Sequence, residues 1–176
     1  DNNIQFSENL YVTDLEIGGL IIMYANKINK VKEPLYYYVK HENATTSFKL
    51  NDKKIYDLIT ISDKRLQHFK NRNFYNEFKE ELDYVYFWHV GVVSVFRCVN
   101  NFSKPQYNKI EELKMKLKYT IPDIKNNYYY KKSNIGVKIL YFLLNRNKYV
   151  LVGILKIIML IPPKLKNKMK NVIKKG

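Results

Sequence analysis

The chain has 176 residues, 46% of them hydrophobic, and a formal charge of +15. That length suits one ordinary domain with a modest core, and the apolar content excludes a disordered chain. A charge this large points to an anionic partner, although 27 of the 31 basic residues are Lys, and the abundance of Lys, Asn, Ile and Tyr is also what an AT-rich genome encodes. Arg, the favoured fork for phosphates and guanine, occurs only at positions 65, 72, 97 and 146, so no nucleic-acid partner is expected. The single cysteine, Cys98, lies in an apolar run. It can form no internal disulfide and reads as a buried structural thiol in a reducing compartment. Sequons at Asn43 and Asn101 come without a signal peptide and read as chance. The opening on "DNNIQF" reads as the start of a fragment of something longer.

In chain order, residues 13–27 predict a helix. Thr13 is a good N-cap, Glu16 stands at the third helical position to complete a capping box, and Asp14 favours the positive end of the helix dipole. "INKVK" and "LYYYV", separated by Glu33-Pro34, predict two short strands over 28–32 and 35–39. In the second, Tyr36 and Tyr38 share one face, with Leu35, Tyr37 and Val39 on the other. "KHENATTS" follows as a polar loop. From 52 to 71, Ile55, Leu58, Ile59, Leu66 and Phe69 form a helical stripe, and a longer helix over 74–99 carries Phe74, Phe78, Leu82, Val85, His89, Val92, Phe96 and Val99 near one face. His68 and His89 lie in these helices without metal-ligand spacing and read as structural. Gly18-Gly19, inside the first helix, permits close packing or loosens it. Residues 106–118 predict a short charged helix and 121–134 a connector. There "NNYYYKKS" mixes aromatics with lysines, as single-stranded nucleic-acid binders do, but reads better as a surface connector.

Charge is segregated along the chain. Residues 124–176 hold 13 Lys and Arg and no acid, leaving +2 for the first 123 residues. "YVLVGILKIIMLI" is strongly apolar but spans 13 residues, includes Lys156 and stops at Pro162-Pro163, whereas a membrane span needs about 20 residues. Beyond it, Leu165, Met169, Val172 and Ile173 share one helical face, and Lys164, Lys166, Lys168, Lys170, Lys174 and Lys175 cover the others. This is the pattern of a helix lying in a membrane interface, where each lysine near an anionic leaflet adds roughly 1 kcal/mol.

"LYVTDLEIGGLIIMYANKINKVKEPLYYYVKHENATT" resembles the C-terminal end of the catalytic domain of family 2 glycosyltransferases of the bacterial surface and capsular polysaccharide type. The matching pieces are Tyr11, the Thr13-Asp14 pair heading a helix, "ANKINKVKEPLYYY" and the Ser/Thr-rich "KHENATT". The resemblance implies a mainly α chain with a small β element: the C-terminal remnant of an α/β Rossmann-like (GT-A) domain over 1–50, a helical extension over 51–120, the connector 121–134 and a basic amphipathic membrane-associating tail over 135–176. It implies inverting transfer of a sugar from a nucleotide-sugar donor to a glycan or lipid-linked acceptor. Asp14 would be the general base, Glu16 would meet acceptor hydroxyls, and His41, Asn43, Thr45 and Thr46 would hydrogen-bond the donor diphosphate. Relatives often carry Arg where this chain has Lys40 or His41. The family's Asp-x-Asp motif, which holds a divalent metal (Mg or Mn), is absent here, and "ELD" at 81–83 falls inside a predicted helix. The chain therefore reads as a fragment without the nucleotide-binding half, inactive alone, peripheral at the cytoplasmic face of the cell membrane. The competing reading is a non-enzymatic basic helical module that binds anionic membrane or nucleic acid by charge.

Overall fold

The computed structural model describes residues 3–37, 39 and 52–160. Their regular elements are helices: α1 (Asp14–Tyr24), α2 (Asp52–Asn71), α3 (Lys79–Tyr86), a π-helical stretch (Phe87–Val93), α4 (Ser94–Asn100), α5 (Tyr107–Thr120), a 3-10 turn (Ile124–Asn126), α6 (Tyr128–Lys132), α7 (Ile135–Arg146) and α8 (Lys148–Leu160). The chain is mainly α, as its periodicity predicts. The two short strands are not formed among the described residues. Leu35, Tyr36 and Tyr37 stand 76%, 81% and 86% exposed. A strand is stable only when paired and packed, and no described segment offers these residues an edge.

α3, the π-helical stretch and α4 run on without a break as one rod from Lys79 to Asn100. α2 packs along it, α5 covers α4 and the π-helical stretch, and α7 and α8 close the other side. One apolar cluster joins α1 to α8. At its centre Phe87 is fully buried, its ring edge-on to Tyr130 and Tyr141 at centroid distances of 5.4 Å each. Burying such a side chain contributes about 1.5–3 kcal/mol. Residues 128–132, expected within a surface connector, instead form α6. Asn127 caps it by accepting from the Tyr130 N–H at 3.1 Å and donates its own amide to the Glu80 carbonyl at 2.7 Å.

The stripe along the rod departs from the sequence expectation after residue 87. Val99 is buried as expected, but Val95 and Cys98 are buried as well and Phe96 is 37% exposed. A π-helical turn takes more than 3.6 residues, so every later side chain is rotated relative to a straight α-helix. The stretch also brings Gly91 against α5. A Cβ there would meet Leu117 Cδ1 and Phe87 Cδ2, both at 3.0 Å. Gly91→Ala should therefore cost about 1–3 kcal/mol despite Ala's better helix propensity. A thermal melt checks this: an unchanged or raised midpoint would show that the contact with α5 is slack.

Candidate functional site

The segment ahead of α1 is tied to α2 by side chains that the sequence gives no reason to pair. The Tyr11 N–H donates to Asp57 Oδ2 at 3.1 Å. Lys53 donates to the same oxygen at 2.7 Å and to the Asn9 carbonyl at 2.8 Å. The ammonium groups of Lys53 and Lys54 lie 4.9 and 5.2 Å from the centre of the Tyr11 ring. Between this anchor and the helix, Val12 has φ +56°. A β-branched residue in the left-handed region is strained by about 1–3 kcal/mol, and such strain clusters where function fixes the backbone.

Asp14 follows as the first residue of α1 and is exposed. Its carboxylate has no hydrogen-bond or ion-pair partner in the described structure. Glu16 is placed quite differently. The capping box is not formed: Thr13 has helical φ and ψ and its side chain makes no cap bond. Glu16 turns inward to 1% exposure. Its Oε1 accepts from Ser7 Oγ at 3.0 Å and lies 2.9 Å from His68 Nε2. Arg72 Nη1 lies 3.3 Å from His68 Nδ1. A guanidinium only donates, which assigns the ring proton to Nε2 and makes His68 the donor to Glu16. Lys64 donates to Ser7 Oγ at 2.7 Å. Glu16 Oε2 is buried without a hydrogen-bond partner. Tertiary packing against α2 has thus outcompeted the local cap. Gly19 makes that approach possible, since a Cβ there would lie 3.2 Å from the Phe69 ring.

Two positions apart on a helix means about 200° around its axis, so Asp14 and Glu16 do not share a cleft. Gln5, Phe6, Ser7, Glu16, Lys64, Gln67, His68 and Asn71 line an open cleft of about 290 Å³, and Asp14 is not among its lining residues. His41, Asn43, Thr45 and Thr46 lie outside the described residues, as do Lys164, Lys166, Lys168, Lys170, Lys174 and Lys175. No group of three or more His, Cys, Asp or Glu could hold a metal ion among the described residues. "ELD" lies in α3, where Asp83 accepts from Tyr75 at 2.7 Å and pairs with Lys79.

Beside α1, Arg65 is buried at 7% exposure. It donates to the Leu15 carbonyl at 3.2 Å, and its Nη2 lies 3.3 Å from His89 Nδ1. Burial pushes its guanidinium down to about 10. These contacts hold the first turn of α1 to both α2 and the rod. Of the residues that shape this region, sequence reasoning singled out Tyr11, Asp14 and Glu16. It missed Ser7, Asp57, Lys64 and Arg65, each of which makes a contact spanning 46–57 residues of sequence. Comparison with family models, curated proteins and solved structures finds no match.

Two outcomes follow for this region. His68→Ala leaves a buried carboxylate with Ser7 alone and should destabilise the fold by about 1–3 kcal/mol in chemical denaturation, whereas a neutral effect would mean that Glu16 swings out to water. His89 is pushed down from 6.5 to about 4 by burial, then by the charges of Arg65 and Arg97. The unfolded chain therefore takes up this proton first as pH falls. The contribution to stability is full above 6.5 and drains away towards 4. Urea midpoints across that window should fall in the wild type and fall less in His89→Gln.

Proposed function

We propose that this chain is the C-terminal part of an inverting family 2 glycosyltransferase of the surface-polysaccharide type, with Asp14 as general base. The observation that carries this reading is the carboxylate of Asp14, exposed and unpartnered at the first turn of α1, behind the strained Val12 and the anchored Tyr11. A carboxylate that only capped the helix would need neither feature. The sequence resemblance around "PLYYY" supports the same assignment.

In the proposed reaction, an acceptor hydroxyl gives its proton to the Asp14 carboxylate while its oxygen attacks the anomeric carbon of a nucleotide sugar. The bond from that carbon to the diphosphate oxygen breaks, the nucleoside diphosphate leaves and the configuration inverts. Glu16, expected to meet acceptor hydroxyls, is instead buried and held by Ser7 and His68, so it keeps a structural role and shares no cleft with Asp14. His41, Asn43, Thr45 and Thr46 remain the candidates for the donor diphosphate. The metal, Mg or Mn, would be held by the nucleotide-binding half, as the resemblance implies. A lipid-linked acceptor would place the protein at the cytoplasmic membrane face. No helix among the described residues is long and apolar enough to cross a membrane; the proposed association is peripheral.

In the parent chain carrying the nucleotide-binding half, Asp14→Asn should lower kcat by about 10²–10⁴-fold and leave the donor KM nearly unchanged. Release of nucleoside diphosphate in the presence of acceptor is the readout. Wild-type turnover by Asp14→Asn, or any turnover by these 176 residues alone, would overturn the assignment.

A further inference from the structure

The pair α7 and α8 is apolar on both sides. Val137, Leu140, Tyr141 and Leu144 of α7, with Leu151, Val152 and Leu155 of α8, enter the core. The outward faces are apolar too. Ile135, Ile139 and Phe142 stand 61%, 46% and 58% exposed on α7, and Ile157, Ile158 and Leu160 stand 63%, 44% and 83% exposed on α8. Positions 135, 139 and 142 recur at helical spacing, so they share one face. Ile139 and Ile158 line the same shallow groove between the helices, which makes the two outer faces one continuous surface. Patches of this kind on a folded chain mark an interaction site.

Charge decides what covers it. From residue 124 to residue 176 there is no acid, and Lys138, Arg146 and Lys156 lie on the two helices themselves. A second copy docking here would set positive against positive. A nucleic acid would call for several polar forks on the surface, yet the two helices carry one Arg, Arg146, 5.7 Å from the Phe142 ring, and the patch around it is aliphatic and phenyl. An anionic bilayer satisfies both halves of the pattern, apolar side chains in the acyl boundary and ammonium groups at the phosphates. The 13 residues of α8 span about 20 Å, short of a hydrocarbon core about 30 Å thick. We propose that the outer face of α7 and α8, centred on Ile139, Phe142, Ile157 and Ile158, is a docking surface that lies flat in the headgroup layer of an anionic membrane. This deepens the peripheral placement proposed above. It moves the apolar contact from the lysine-rich stretch after Pro163 onto two helices fixed in the core.

Flotation of the 176-residue chain with phosphatidylcholine vesicles, with and without phosphatidylglycerol, tests it. The wild type should float with the anionic vesicles, and added salt should weaken this. Phe142→Asp with Ile157→Asp should lower the floated fraction at least about tenfold, with the circular dichroism melt retained because both sites are exposed. Replacing the six lysines from Lys164 to Lys175 by Gln should weaken flotation less than the double variant does. As a separate probe, Ile157→Trp should shift its emission to the blue on anionic vesicles, relative to a parent with Trp88 alone. The docking face is overturned by a double variant that floats like wild type, by loss confined to the lysine variant, or by an Ile157→Trp emission that does not move. Absence of wild-type flotation overturns the membrane placement as well. None of these results bears on Asp14→Asn, so the transfer chemistry stands or falls separately.

Discussion

The packing of Phe87 against Tyr130 and Tyr141 ties the two ends of the described fold together. Phe87 belongs to the rod, Tyr130 to α6 and Tyr141 to α7, and the Tyr130 and Tyr141 rings also meet each other at 5.6 Å. Around this triangle the rod contacts α2 on one flank and α5, α7 and α8 on the others. Tyr86, the neighbouring residue, is also fully buried and donates to Asp63 of α2 at 2.8 Å. Burial, and the Asp63 carboxylate beside it, push this phenol up, so it stays a neutral donor and the link is insensitive to ordinary pH. A buried aromatic pair with one polar handle is a strong way to fix orientation, because the apolar area supplies the energy and the hydroxyl selects the register.

That fixed orientation explains why the basic C-terminal helices are not a loose tail. Each contributes an inner apolar face to the same cluster as α2 and the rod, so their outer faces are held still. A surface held by a core presents its apolar side chains without first ordering them. A free amphipathic segment must order itself on binding, and the entropy of that step weakens it.

Helix existence was legible wherever the 3.6-residue period ran uninterrupted. α2 and α5 lie close to where Ile55 to Phe69 and the charged run after Gln106 place them. Legibility failed where a residue's role depends on something distant. Glu16 looked like a capping partner because the motif is local, whereas its actual partner, His68, is 52 residues away. Phe96 looked buried because the pattern assumes a straight helix, and the π-helical stretch turns it out. Tyr36 and Tyr37 alternate like a strand, yet alternation describes only which faces a strand would have, and pairing must come from elsewhere in the sheet. Val12 carried no signal at all, because strain at one backbone position leaves no pattern in composition or spacing.

The two carboxylates at the start of α1 are placed differently by the fold, one exposed and one buried. Glu16 is committed to Ser7 and His68, and the cost of burying its charge is offset only while both partners stay in place. Asp14, about 200° away around the helix, is exposed and makes no such contact among the described residues. In the proposed reading, one turn of helix would carry a structural acid inward and a general base outward. The anchor of Tyr11 on Asp57 and Lys53 then matters for a mechanical reason. It holds the backbone ahead of Asp14 on α2, and α2 is held by the rod that carries α7 and α8. In the proposed reading, the base and the membrane-facing surface belong to one continuously packed body, so the height of Asp14 above a lipid-linked acceptor is set by the core and not by a linker.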